Sequence, residues 1–144
     1  MGSFTATAQA VTGYVAAAPQ LAAMPVVLSY DEEFDLGAGQ PSLVVVSPRA
    51  VRPTVLARAA TSREMDVLIY VAIRVSTLAE TNAAADLVEA LLDRIEGSGW
   101  RAVAPAGVAL VSAAVEFGNE ATIREMGVFR AEIVATYKVA KGQL

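Results

Sequence analysis

The chain has no cysteine and no histidine. Thiolate nucleophiles, disulfides, Cys/His zinc sites, imidazole general bases and the usual catalytic triads are therefore excluded. Chemistry, if any, falls to carboxylate, Lys, Tyr or Ser. Charge is also scarce: 18% of residues are charged and 55% are hydrophobic, against a globular norm of about 25% charged. An isolated soluble domain usually displays more charge than this, so part of the surface is expected to be covered by partners. Long unbroken apolar runs are missing too, despite a mean hydropathy of +0.48. The stretch from Val11 to Tyr30 is interrupted by Gly13, Pro19, Gln20 and Pro25, whereas a spanning helix needs about 20 mostly apolar residues in one run. The first basic residue is Arg49, so a signal peptide would lack its positive region. Met1-Gly2 is followed by Ala6 where a myristoylation signal wants Ser or Thr. The sequence reads as unanchored, with no membrane partner.

At 144 residues the chain fits a single domain spanning residues 1–144, large enough to bury roughly 70% of its unfolded surface. From Thr5 to Ala18 it is Ala-rich and uncharged, which predicts a helix buried on most sides, capped by Ser3 or Thr5 and stopped by Pro19. Pro25–Tyr30 and Ser42–Pro48 read as strands, with Gly37, Gly39 and Pro41 turning the chain between them. In the third strand, Glu64 to Val75, six residues fall on one face: Met65, Val67, Ile69, Val71, Ile73 and Val75. Glu64, Asp66, Tyr70 and Arg74 fall on the other, which should meet solvent or a neighbour. A helix is expected from about Asn82 to Glu96, capped by Asn82 and ended by Gly97, with Leu87, Val88, Leu91, Leu92 and Ile95 as its apolar stripe. Strands at Gly107–Phe117 and about Gly127–Val139 complete the order α-β-β-β-α-β-β. That order predicts an α+β fold, a mainly antiparallel sheet with two helices packed on one face.

Two charged segments stand out. Asp31, Glu32, Glu33 and Asp35 crowd together after thirty uncharged residues. Calcium binding does not explain them: an EF-hand loop starting at Asp31 would place Leu36 where Gly is required and Ser42 where a bidentate Glu belongs. Nor does the sequence single out an acid and base pair or a sugar platform. A solvated loop or a docking surface remains. From Arg49 to Arg63 the chain carries four arginines, Arg49, Arg52, Arg58 and Arg63, and no acidic residue. Read as a loop, this segment could meet the acidic stretch of a neighbouring subunit, because a guanidinium grips carboxylates in a planar fork. The helix of residues 82–96 has an acidic face, Asp86, Glu89, Asp93 and Glu96, relieved by Arg94. It is either a solvated outer face or the lining of a lumen.

Taken in order, these features resemble a known family. An Ala-rich helix leads to Tyr30–Leu36 with its Phe-Asp-Leu end, then to Val-Val-Ser-Pro-Arg at Val45–Arg49. An Arg-rich stretch follows, then Arg-Glu-Met-Asp-Val at Arg63–Val67, a helix rich in Ala, Asp, Leu, Val and Glu, and Ala-Thr-Tyr-Lys-Val at Ala135–Val139. The whole, about Thr5 to Val139, resembles the tail terminator and related head-tail joining proteins of long-tailed bacteriophages. The resemblance implies a virion structural protein with no cofactor, no metal and no catalytic residue, made in the host cytoplasm and placed at the tail-neck junction. Such proteins form a ring, commonly a hexamer, on the head-proximal end of the tail tube. Their partners are copies of themselves, the tail tube protein and the neck, connector or stopper protein. DNA passes through such a ring. A net charge of −4 and a pI near 4.8 argue against a phosphate-binding module, since duplex affinity comes from Lys and Arg, so passage without specific binding is expected. Two further readings stay open: another neck or tail-tube subunit, and a small carboxylate-dependent enzyme with converging carboxyls in a pocket.

Overall fold

The computed structural model describes residues 3–21, 24–30, 36, 39–57, 60–97, 108–118, 123 and 127–140. Helix α1 (Ser3–Ala16) runs into a short 3-10 turn at Pro19–Leu21; strands β1 (Val26–Leu28), β2 (Ser42–Ala57) and β3 (Ala60–Arg74) follow. Helix α2 (Leu78–Glu96) then leads to β4 (Val108–Phe117) and β5 (Val128–Ala140). The strands form one sheet in the order β1-β2-β3-β5-β4, antiparallel except for β1 beside β2. The expected α+β class and element order are both present, and both helices lie on one face.

The core forms where the period-two pattern of the strands meets the helical stripes. Met65, Val67, Ile69 and Val71 of β3 and Phe129, Ala131, Ile133, Ala135 and Tyr137 of β5 are buried on the helix-covered face. Helix α1 brings Ala8, Val11 and Val15 onto β1 and β2, and α2 brings Ala84, Val88, Leu91 and Ile95 toward β4 and β5. Each full burial of a Val, Leu or Ile side chain contributes ~1.5–3 kcal/mol. The two helices are also tied directly. Tyr14 donates its hydroxyl to the Arg94 carbonyl (3.0 Å), and Arg94 returns Nε–H to the Tyr14 carbonyl (3.3 Å) with its guanidinium 4.1 Å over the tyrosine ring.

Three expectations need correction. Helix α2 begins at Leu78, not near Asn82: Thr77 is the N-cap, accepting from the Glu80 amide (3.1 Å), while Glu80 reaches back to the Ser76 amide (3.2 Å). The Thr77 hydroxyl satisfies an orphan helix donor more than a turn earlier than Asn82 could, and the Glu80 carboxylate ties down the residue before the cap. Residues 49–57 and 60–63 are strand, not loop. They prolong β2 and β3 into one hairpin that pairs from Ser42 with Ile73 to Ala57 with Ala60. Pro48 and Pro53 sit in it without breaking it, because β1 pairs only Val44–Val46 and, among the described residues, the outer side of β2 beyond Val46 is an edge. Finally, β1 and β2 are parallel, so the connection from Leu28 to Ser42 must cross over and is not the simple turn expected at Gly37, Gly39 and Pro41. Its Leu36 packs on a second apolar cluster on the sheet face opposite the helices, made of Val45, Leu68, Tyr70, Ala72 and Val128. Tyr70, expected to meet solvent or a neighbour, is accordingly only 6% exposed.

Candidate assembly surfaces

Strand alternation divides the arginines between the two sides of the sheet. Arg52 projects from the face opposite the helices. Its guanidinium donates to both Asp66 oxygens, at 2.6 and 2.9 Å, and more weakly to Glu64 at 3.5 Å. Thr136 adds its hydroxyl to Asp66 Oδ1 at 2.9 Å. The hydrogen bonds from Arg52 hold the Asp66 carboxyl below its ordinary range, with burial opposing and Thr136 assisting. The same contact raises Arg52 above its usual value. Arg63 lies on the helix side, its guanidinium 5.8 Å over the Phe4 ring. Arg49, half-buried, stands at a register shift of β2 between Pro48 and Ala50 and makes contacts of its own. Arg58 and the acidic residues Asp31, Glu32, Glu33 and Asp35 lie outside the described residues.

The arginines thus do not form one patch, and the carboxylates that meet Arg52 belong to the adjacent strand of its own chain. Sequence spacing could not reveal this, since it depends on the hairpin register that sets Arg52 opposite Glu64 and two pairs from Asp66 on the same face. By contrast Asp86, Glu89, Asp93 and Glu96 emerge as read: all four are exposed, spaced three or four apart along the side of α2 away from the buried stripe.

The two sides of the sheet end differently. On one side lie β1, whose Val27 is 43% exposed, and the proline-bearing outer edge of β2. On the other lies β4, ten residues with one charge, Glu116. Its Val111 and Phe117 are 52% and 57% exposed. A long, weakly charged edge is a template for further pairing unless something covers it. At the end of β4 a cleft of about 340 Å³ is lined by Tyr70, Glu116, Phe117, Gly118, Arg130, Ala131 and Glu132. Phe117 leans on Phe129 with ring centroids 6.0 Å apart. Gly118 closes the corner: its amide donates to the Arg130 carbonyl at 2.7 Å, and a Cβ there would stand 2.9 Å from that oxygen. This cleft, with its converging Glu116 and Glu132, was not singled out by the sequence; the signal would have been the single acidic residue at the end of an otherwise uncharged strand.

Among the described residues no helix is long and apolar enough to cross a membrane. No protein-family model and no curated protein matches the chain. Among solved structures, it is similar to a chain of the "Virion of native gene transfer agent (GTA) particle", with a TM-score of 0.58 and 19% sequence identity. The match covers 96% of this chain and 98% of that one. At that identity the likeness is one of fold.

Proposed function

We propose that this chain is a structural protein of a tailed, phage-like virion that closes into a ring on the head-proximal end of the tail tube. There it ends tube polymerisation and joins the tail to the neck or connector. The observation that carries this reading is the fold match with a chain of a virion particle, which covers 96% of this chain and 98% of that one. The family resemblance of the sequence supports the finer role. So does the surface: it is poor in charge, and both ends of the sheet expose apolar side chains, as a subunit with two heterologous contacts requires.

In this reading the protein is not an enzyme. Arg49, Arg52, Arg58, Arg63 and the acidic stretch 31–35 lie at subunit or partner contacts, and the α2 stripe Asp86, Glu89, Asp93 and Glu96 is a candidate lining for DNA to slide past. Electron microscopy of particles assembled without the protein tests the role. Overgrown tails that never join heads are expected. Tails of normal length lying beside filled heads would instead identify a neck adaptor, and normal particles would refute the structural role. Salt-sensitive duplex binding at physiological ionic strength would refute passive passage of DNA.

A further inference from the structure

Strand β4 is the last of the sheet, and one hydrogen bond fixes which of its backbone groups are already used. The Gly118 amide donates to the Arg130 carbonyl at 2.7 Å, and these two residues continue the register that sets Phe117 opposite Ala131. In an antiparallel pair, opposed residues that bond to one another alternate with opposed residues that do not. Glu116, Ala114 and Ser112 therefore bond to β5, while Phe117, Val115 and Ala113 turn their N–H and C=O groups toward the outer edge. Among the described residues no strand meets that row.

The row is also unprotected. From Ser112 to Phe117 there is no proline and no lysine, and the one charge is Glu116; the bulge of β4 lies before this segment, between Leu110 and Ser112. The other side of the sheet is built differently. There the Val44 amide donates to the Pro25 carbonyl and the Ser29 amide to the Val46 carbonyl, so β1 turns only Val26 and Leu28 outward. Beyond β1, the edge of β2 carries Pro48 and Pro53, which have no amide to donate. Among the described edges, only a second β4 offers a row that matches β4 in length.

We propose that two copies of the free protein pair along β4, antiparallel, with Val115 opposite Val115, so that their sheets join into one. Ala113 of each copy then stands opposite Phe117 of the other, and these outward-facing pairs exchange N–H···O bonds in both directions. On the helix side the Phe117 ring, 57% exposed, lies across from the small Ala113. On the other side Glu116 stands opposite Ala114, so no two acidic residues are directly opposed. The pairing stays clear of the bulge. Such a contact is isologous and stops at two copies. It goes beyond the ring reading and does not depend on it: it closes the open edge of the free subunit.

The absence of cysteine makes the test direct. A114C and E116C, both at exposed positions, are purified as single variants, mixed and oxidised. Opposed residues that do not bond lie about 4.5 Å apart at Cα, within reach of a disulfide, so a cross-link between positions 114 and 116 is expected in excess over 114–114 and 116–116.

The backbone is tested separately. Sedimentation of the wild type should show a monomer–dimer equilibrium. A113P removes a donor that points outward and should weaken dimerisation about tenfold or more with little change in Tm. A114P removes a donor to β5 and should lower Tm instead. A wild type that stays monomeric, an oligomer without the 114–116 cross-link, or a dimer that A113P leaves as tight as before would overturn the pairing. None of these outcomes bears on the ring reading, which the particles assembled without the protein test.

Discussion

At the scale of single residues, two titrating groups tie stability to pH. Asp66 is held below its ordinary value of 3.8 chiefly by the hydrogen bonds from Arg52. A depressed carboxyl contributes stability that is complete above the unfolded value and is lost as pH falls through the folded one. D66N should therefore lower Tm at pH 7 and flatten its decline below about pH 4, read by thermal unfolding across pH. Tyr137 is the opposite case. It is fully buried, and burial pushes its hydroxyl above the ordinary value of 10.0. Its stabilising effect is complete below that value and lost as pH rises through the raised one, because the ionised form must leave the core. Tyrosinate absorbance should show a tyrosine that ionises only with unfolding, and Y137F should remove its contribution.

At the scale of elements, α2 owes its start to Thr77 and Glu80. T77A leaves the first-turn amides without their cap and should cost about 1 kcal/mol in urea denaturation. N82A, by contrast, should change little, since Asn82 lies exposed within the helix. Where β5 begins, Gly127 holds φ +63°, accepts from the Val75 amide (2.9 Å) and donates to the Ile123 carbonyl (2.9 Å). A side chain there faces the left-handed penalty of roughly 1–2 kcal/mol and stands 3.3 Å from the Val75 carbonyl oxygen. G127A should destabilise by about that amount and raise hydrogen exchange at the Val75 amide. In the sheet centre, I133A removes a side chain with no exposure and should cost about 2–5 kcal/mol.

At the scale of the whole molecule, the sheet has a helix-covered face and a second face over which only Leu36 of the described crossover packs. Among the described residues, that asymmetry leaves the sheet's two sides and the charged part of its second face open to other chains. The polar face is nearly self-compensated around Arg52, Asp66 and Thr136 but not at Glu116 and Glu132. Pairing along β4 brings these carboxylates of two copies toward one another, so salt should strengthen it, most steeply below the ionic strength at which the Debye length falls to about 10 Å. Sedimentation at stepped salt would read this. An oligomer that salt weakens would place the contact between opposite charges instead, at the arginines and the acidic stretch of the ring reading.

The sequence by itself determined the fold class, the element order and most of the core. Alternation in β3 and β5 and the apolar stripe of α2 are properties of local period, and period is set by which residues follow one another. The exposed acidic stripe of α2 was legible for the same reason. The longer reach of β2 was not, because Pro48 and Pro53 argue against strand until the sheet order shows that their side of β2 is an edge. The parallel placing of β1 was hidden as well, since a glycine-bearing connection can turn back or cross over and only the packing of Leu36 distinguishes them. Site residues depended most on tertiary structure. Arg52 meets Asp66, and Glu116 meets Glu132, through strand register across separations of 14 and 16 residues. Register is decided by which faces must be buried together, and charge spacing along the chain carries no record of it.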